Sequence, residues 1–152
     1  MSDATSADDI VAWAASVIGP CEVETGDARF HGRTTVSKLR TAKGHVYLKI
    51  HKSQATWGPE VHGYEQWSGA FSGRTPTLLG VYDAGPFGLL TSGMPGKNLE
   101  DAGLLIEQQV KAWRAAGAAL LALHESAVGE HFGECARDGS SVGPAVTDAV
   151  AY

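Results

Sequence analysis

The chain has 152 residues, enough for one ordinary domain or for one small lobe with part of another. Its composition is that of a globular protein, and a net charge of −5 offers no basic surface in bulk, so a general nucleic-acid role has no support. Cys21 and Cys135 stand far apart without neighbouring ligand residues, which argues against a disulfide framework or a zinc site. No apolar run is long enough to cross a bilayer and the acidic start "MSDATSADD" is no signal peptide, so a cytoplasmic location is expected.

In "DIVAWAASVIG", Ile10, Trp13, Ala14, Val17 and Ile18 recur at helical spacing before Gly19-Pro20, which predicts a helix over about 7–18. The period then changes. Strands are predicted near 21–25, 34–41 and 45–51, parted by turns at Gly26, Gly32 and Gly44. "TWGPEVHGYEQWSGAF" returns to helical spacing near 58–70, with Val61, Tyr64 and Trp67 on one side and Pro59 in the first turn. Two further strands follow near 77–83 and 87–92, joined at Ala84-Gly85-Pro86.

After the polar connector "SGMPGKNLED" comes a long helix, about 101–125, striped by Ile106, Val110, Trp113, Gly117, Leu120 and His124 and widened by Leu121 and Leu123. Beyond it the pattern decays. There is no internal repeat and no βαβ alternation, so the fold class expected is α+β, a five-stranded antiparallel sheet carrying one helix. Its core is expected to include Leu39, Val46, Leu48, Ile50, Val61, Tyr64, Leu78, Leu79, Val81 and Leu90.

Lys49 interrupts the apolar strand "VYLKI", and an unpaired buried ammonium is very costly. Alternation lets it point to solvent while Leu48 and Ile50 point inward; the other reading gives its charge a partner in a cleft. Glu60 and Glu65 are the nearby carboxylates, and Glu65, farther from the helix start, reads as a solvated residue. The histidines show no metal-ligand spacing backed by acids; His124 reads as a helix-end residue. Ser92 and Ser126 lack a nucleophile context such as G-x-S-x-G.

The order of Lys49 in "VYLKI", Glu60 in "EVHGYEQW", "LLTSGMPG" and "AGAALLALHES" resembles the N-terminal part of the aminoglycoside phosphotransferase and choline kinase family, of protein-kinase-like fold, over about residues 20–126. The resemblance implies a kinase-like small lobe over 1–92, a hinge over 93–98, and an incomplete large lobe over 99–152 holding the long helix and an irregular tail. It implies ATP as cofactor, with Lys49 on the phosphates and Glu60 orienting Lys49. Thr34 and Thr35, in the loop "GDARFHGRTTVSKL", become candidates for phosphate contact, although only Gly26 and Gly32 stand where a glycine-rich cover would lie. An ordinary hairpin turn is the other reading of that loop. Backbone groups of Ser92 and Met94 would meet adenine, with Thr91 beside the pocket.

The family's H-x-D-x-x-x-x-N loop and magnesium-binding aspartate do not occur: Asp138 and Asp148 lack the neighbours, and no asparagine follows Asn98. The expectation is thus the nucleotide-binding half of a small-molecule phosphotransferase, truncated before its catalytic residues and magnesium ligands. It would act, in its complete form, on a hydroxyl-bearing acceptor. The alternatives are a non-catalytic module binding a nucleotide or a protein, and an α+β domain with a coincidental likeness. Self-association through the long helix is expected, since its stripe would lack a cover.

Overall fold

The computed structural model describes residues 7–24, 29–31, 34–71, 73–97, 99, 101–126 and 135–143. The turns expected at Gly26 and Gly32, and His131 and Asp148, lie outside them. Helix α1 spans Ala7–Ile18, followed by β1 (Cys21–Val23), β2 (Arg29–His31), β3 (Thr34–Thr41) and β4 (Gly44–His51). Helix α2 (Gln54–Gln66) runs into a turn of 3-10 helix, Ser68–Phe71. Strands β5 (Leu78–Tyr82) and β6 (Phe87–Ser92) and helix α3 (Ile106–Ser126) complete the order.

The five expected strands form one antiparallel sheet in the order β1-β3-β4-β6-β5, and β2 adds a short pairing to β3. Its longest pairing is the β3–β4 hairpin. Thr41 pairs with Gly44, the Thr41 hydroxyl donates to the Gly44 carbonyl at 2.8 Å, and Gly44 takes a φ of 121° that a side chain would resist. Period-two alternation then sorts the residues of β4 onto two faces. Val46 and Leu48, with Leu39 of β3 and Leu90 of β6, close over Ile10 and Ala14 of α1. On the other face Leu89 meets Trp57 and Val61 of α2.

Helices therefore cover both faces, where one was expected. The reason is visible in β6: Leu89 and Leu90 are consecutive, point to opposite faces, and are both fully buried, so each face needs a cover. Of the expected core, Leu39, Val46, Leu48, Val61 and Leu90 are buried and Ile50, Tyr64, Leu78 and Val81 half-buried. Leu79 is 38% exposed, because the β5–β6 register shifts between Leu78 and Gly80 and turns it outward.

Two helix starts also differ from expectation. Helix α2 begins at Gln54, a turn before 58, because extended Ser53 (φ −146°, ψ 152°) already serves as its N-cap. Pro59 then lies inside the helix, where its ring nitrogen cannot donate to the carbonyl of exposed Ala55. Helix α3 begins at Ile106 rather than 101. There the Gln108 side chain accepts the Leu105 N–H at 3.0 Å while the Leu105 carbonyl accepts the N–H of Gln109, one arm of a capping box.

No residue of α3 is buried, and Ile106 (79%) and Trp113 (67%) stand in solvent; its main packing is on the 3-10 turn. Residues 135–143 return to α2. The Arg137 guanidinium lies 5.1 Å from the Trp57 ring centroid and 3.2 Å from the Glu65 carboxylate, and the Arg137 carbonyl is 2.9 Å from His62 Nδ1. Among the described residues no helix is long and apolar enough to cross a membrane.

Candidate functional site

Lys49 and His51 share the α2 face of β4 by strand alternation, and Lys49 sits in register between Val36 of β3 and Leu89 of β6. On α2, Trp57 and Val61 hold the helix to the sheet, which carries Glu60 along the adjoining flank. The Lys49 ammonium donates to both Glu60 oxygens, at 2.6 and 2.8 Å. Glu65, the competing partner, is instead engaged by Arg137. Lys49 is thus neither solvent-directed nor unpaired.

Two opposing influences act on Glu60. Burial pushes its carboxyl up, but the His51 imidazole beside it and the Lys49 ammonium bonded to it outweigh burial and hold the group below the usual carboxylate range. Burial and the Glu60 charge raise the Tyr64 phenol. A depressed folded pKa means that Glu60 contributes stability in full above its unfolded pKa and loses it as pH falls through the lower folded value. Urea midpoints of wild type and Glu60→Gln should therefore differ most near neutral pH and converge in acid below that value. Curves that stay parallel through this acid window would contradict the assignment.

Beside the pair opens a cleft of about 430 Å³. Val36, Tyr47, Leu89 and Tyr64 give it an apolar and aromatic wall, Lys49 and Lys97 bring two cations, and Glu60 is its one carboxylate among the described residues. Met94, Pro95 and Gly96 of the connector form its rim. The connector leaves β6 through Gly93, whose N–H donates to the His45 carbonyl; a Cβ at residue 93 would stand 2.8 Å from that oxygen, so only glycine permits this approach.

The structure gathers Lys49, Glu60, Thr91, Ser92 and Met94 at this cleft and leaves Thr34 and Thr35 out of its lining. Thr35 pairs with Ile50 and so shares the α1 face, opposite Lys49. Thr34 lies on the α2 face, but its hydroxyl is 3.5 Å from His51 Nδ1, at the strand–helix junction. Thr91 is buried at the cleft wall. The Ser92 N–H donates to the Thr77 carbonyl at 2.9 Å and its hydroxyl oxygen accepts the Thr77 N–H, so that donor is spent on the sheet margin.

Sequence reasoning missed His51, Tyr47 and Lys97. For His51 and Tyr47 the signal existed, since each stands two residues from Lys49 on the same strand. Among the described residues no three His, Cys, Asp or Glu side chains gather as a metal-holding group. Comparison with protein-family models, with curated proteins and with solved structures gives no match to the chain.

Proposed function

We propose that the cleft binds a nucleotide, with Lys49 on its phosphates and Glu60 holding Lys49, as the nucleotide-binding part of an ATP-dependent phosphotransferase of the aminoglycoside or choline kinase kind. The observation that carries this reading is the two-pronged Lys49–Glu60 pair opening onto a mixed apolar and cationic cleft. Phosphoryl-transfer enzymes of kinase-like fold use such a strand lysine and helix glutamate to fix a cation against phosphate. An apolar wall with cations at its edge suits a ligand that is flat and apolar at one part and anionic at another.

The residues fit a nucleotide better than its magnesium. Lys49 can supply a rigid phosphate contact, whereas the carboxylate of Glu60 is already taken by Lys49. A bound ATP would supply the phosphoryl group, and this chain's part would be to orient its phosphates and shield its base. Calorimetric titration with ATP should give binding that Lys49→Ala weakens about tenfold to a hundredfold, the worth of a hydrogen bond from a charged donor. Equal affinity in the mutant, or none in wild type, would refute the reading.

A second reading is nucleotide binding without transfer, since Lys49 offers a phosphate contact while the carboxylate beside it is already taken. Under either reading residues 1–152 should transfer no labelled γ-phosphate to aminoglycosides or choline at a useful rate; turnover abolished by Lys49→Ala would show instead that this chain carries its own catalytic groups. We also expect the exposed stripe on α3 to make the chain self-associate. Sedimentation velocity should show mass rising with concentration, and Trp113→Glu with Leu121→Glu should return it to monomer; a wild-type monomer throughout would refute this.

A further inference from the structure

The nucleotide reading leaves His51 unused, although this side chain is only 2% exposed and stands in the same cluster. Its Nε2 lies 3.2 Å from Glu60 Oε2, yet off the line of a hydrogen bond, and has no hydrogen-bond partner among the described residues. Its Nδ1 faces two hydroxyls, Thr56 at 3.4 Å and Thr34 at 3.5 Å. A buried polar atom without a partner is costly, and an apolar side chain of similar size would fill the same space without that cost. The imidazole therefore calls for a reason beyond packing.

We propose that His51 is a positioning residue for Glu60, its Nε2–H taking the carboxylate oxygen that Lys49 releases when a phosphate enters the cleft. This rests on the nucleotide reading above. In the ligand-free geometry both Glu60 oxygens are bound by one ammonium. An ammonium has three donors, and phosphate competes for them. Oε2 has the longer of the two contacts to Lys49 and is also the oxygen nearest His51, so a small rotation of the carboxylate exchanges one donor for the other. The Thr56 hydroxyl is donated to the Ser53 carbonyl at 3.1 Å, so Thr34 is the hydroxyl that can donate to Nδ1, which leaves the ring proton on Nε2, the tautomer this exchange requires. The charged and titratable groups facing Glu60 are Lys49 and His51 from β4 and Tyr64 from α2, with Lys97 on the connector side of the cleft.

Two substitutions separate positioning from packing. His51→Gln keeps a donor near the place of Nε2, and His51→Leu keeps bulk without one. The first readout is the Glu60 titration midpoint, followed by its side-chain carboxyl carbon resonance in the nucleotide-free protein. It should rise in the Leu variant, as loss of the polar imidazole beside the charged carboxylate requires, and stay nearer wild type in the Gln variant. The second is ATP affinity, expected to fall about threefold to tenfold in the Leu variant and to be rescued in the Gln variant. Unchanged midpoints in the Leu variant, or equal impairment of both, would overturn the proposal. The wild-type imidazole nitrogen spectrum needs no variant: a protonated Nε2 is expected, and a bare one refutes it. If wild type binds no ATP, the nucleotide reading falls, while the Glu60 midpoint and nitrogen spectrum still decide whether His51 holds Glu60.

Discussion

Trp57→Ala should lose about 3–5 kcal/mol of stability, the range for truncating a large buried aromatic. The ring is 1% exposed and packs against Val61 and Leu89, with Phe87 at a centroid distance of 5.3 Å. Its indole N–H donates to the Gly88 carbonyl at 3.0 Å, and Arg137 covers its outer face. Truncation would open a cavity, strand that carbonyl and release Arg137 together. Because whole domains hold only about 5–15 kcal/mol, most of the margin would go. The measurement is the urea midpoint at unchanged slope. Trp57→Phe should keep most of the packing and lose the hydrogen bond, costing about 1–2 kcal/mol. A loss under about 1 kcal/mol for the alanine variant would mean that α2 is anchored elsewhere. Since Glu60 lies one turn further along α2, the weakened anchor should also loosen the Lys49 pair.

The Lys49–Glu60 pair should behave as a coupled unit. Breaking a wholly buried ion pair costs about 3–5 kcal/mol, but replacing both partners by apolar groups is often neutral or stabilising. Here the side chains are 32% and 25% exposed, so solvent screens part of the interaction. Glu60→Leu, which leaves Lys49 beside His51 without a carboxylate, is expected to cost about 1–2 kcal/mol. Lys49→Met should cost less, because His51 still faces Glu60. The double variant should recover stability to near wild type while binding ATP no better than the Lys49 variant. Denaturant melts of the four proteins yield the coupling energy directly. Additive single costs would show that the pair contributes nothing as a pair.

Local pattern was enough to read the five main strands, because alternation and a two-residue turn leave few other ways to pair "TTVSKLRT" with "GHVYLKIH". It also marked α1, whose apolar spacing ends at Gly19-Pro20, and singled out Lys49 as the charge that breaks an apolar strand. The pairing with Glu60 rested on more than pattern. It came from a family likeness in the order of motifs, and the residues themselves left solvent as an open direction for Lys49.

Tertiary structure decided what covers each face. Period two says that Thr35 and Lys49 differ in side only once the strand register is known, and the register aligns Thr35 with Ile50. His51 is buried because α2 closes over the end of β4, a contact that no spacing within the strand announces. The choice between Glu60 and Glu65 was settled in part by Arg137, which is 72 residues from Glu65 along the chain and reaches it only because residues 135–143 return to α2. Periodicity reports which side of an element seeks cover. The identity of the cover, and with it the charge that meets Lys49, depends on contacts between segments distant in sequence, whose packing geometry no local window contains.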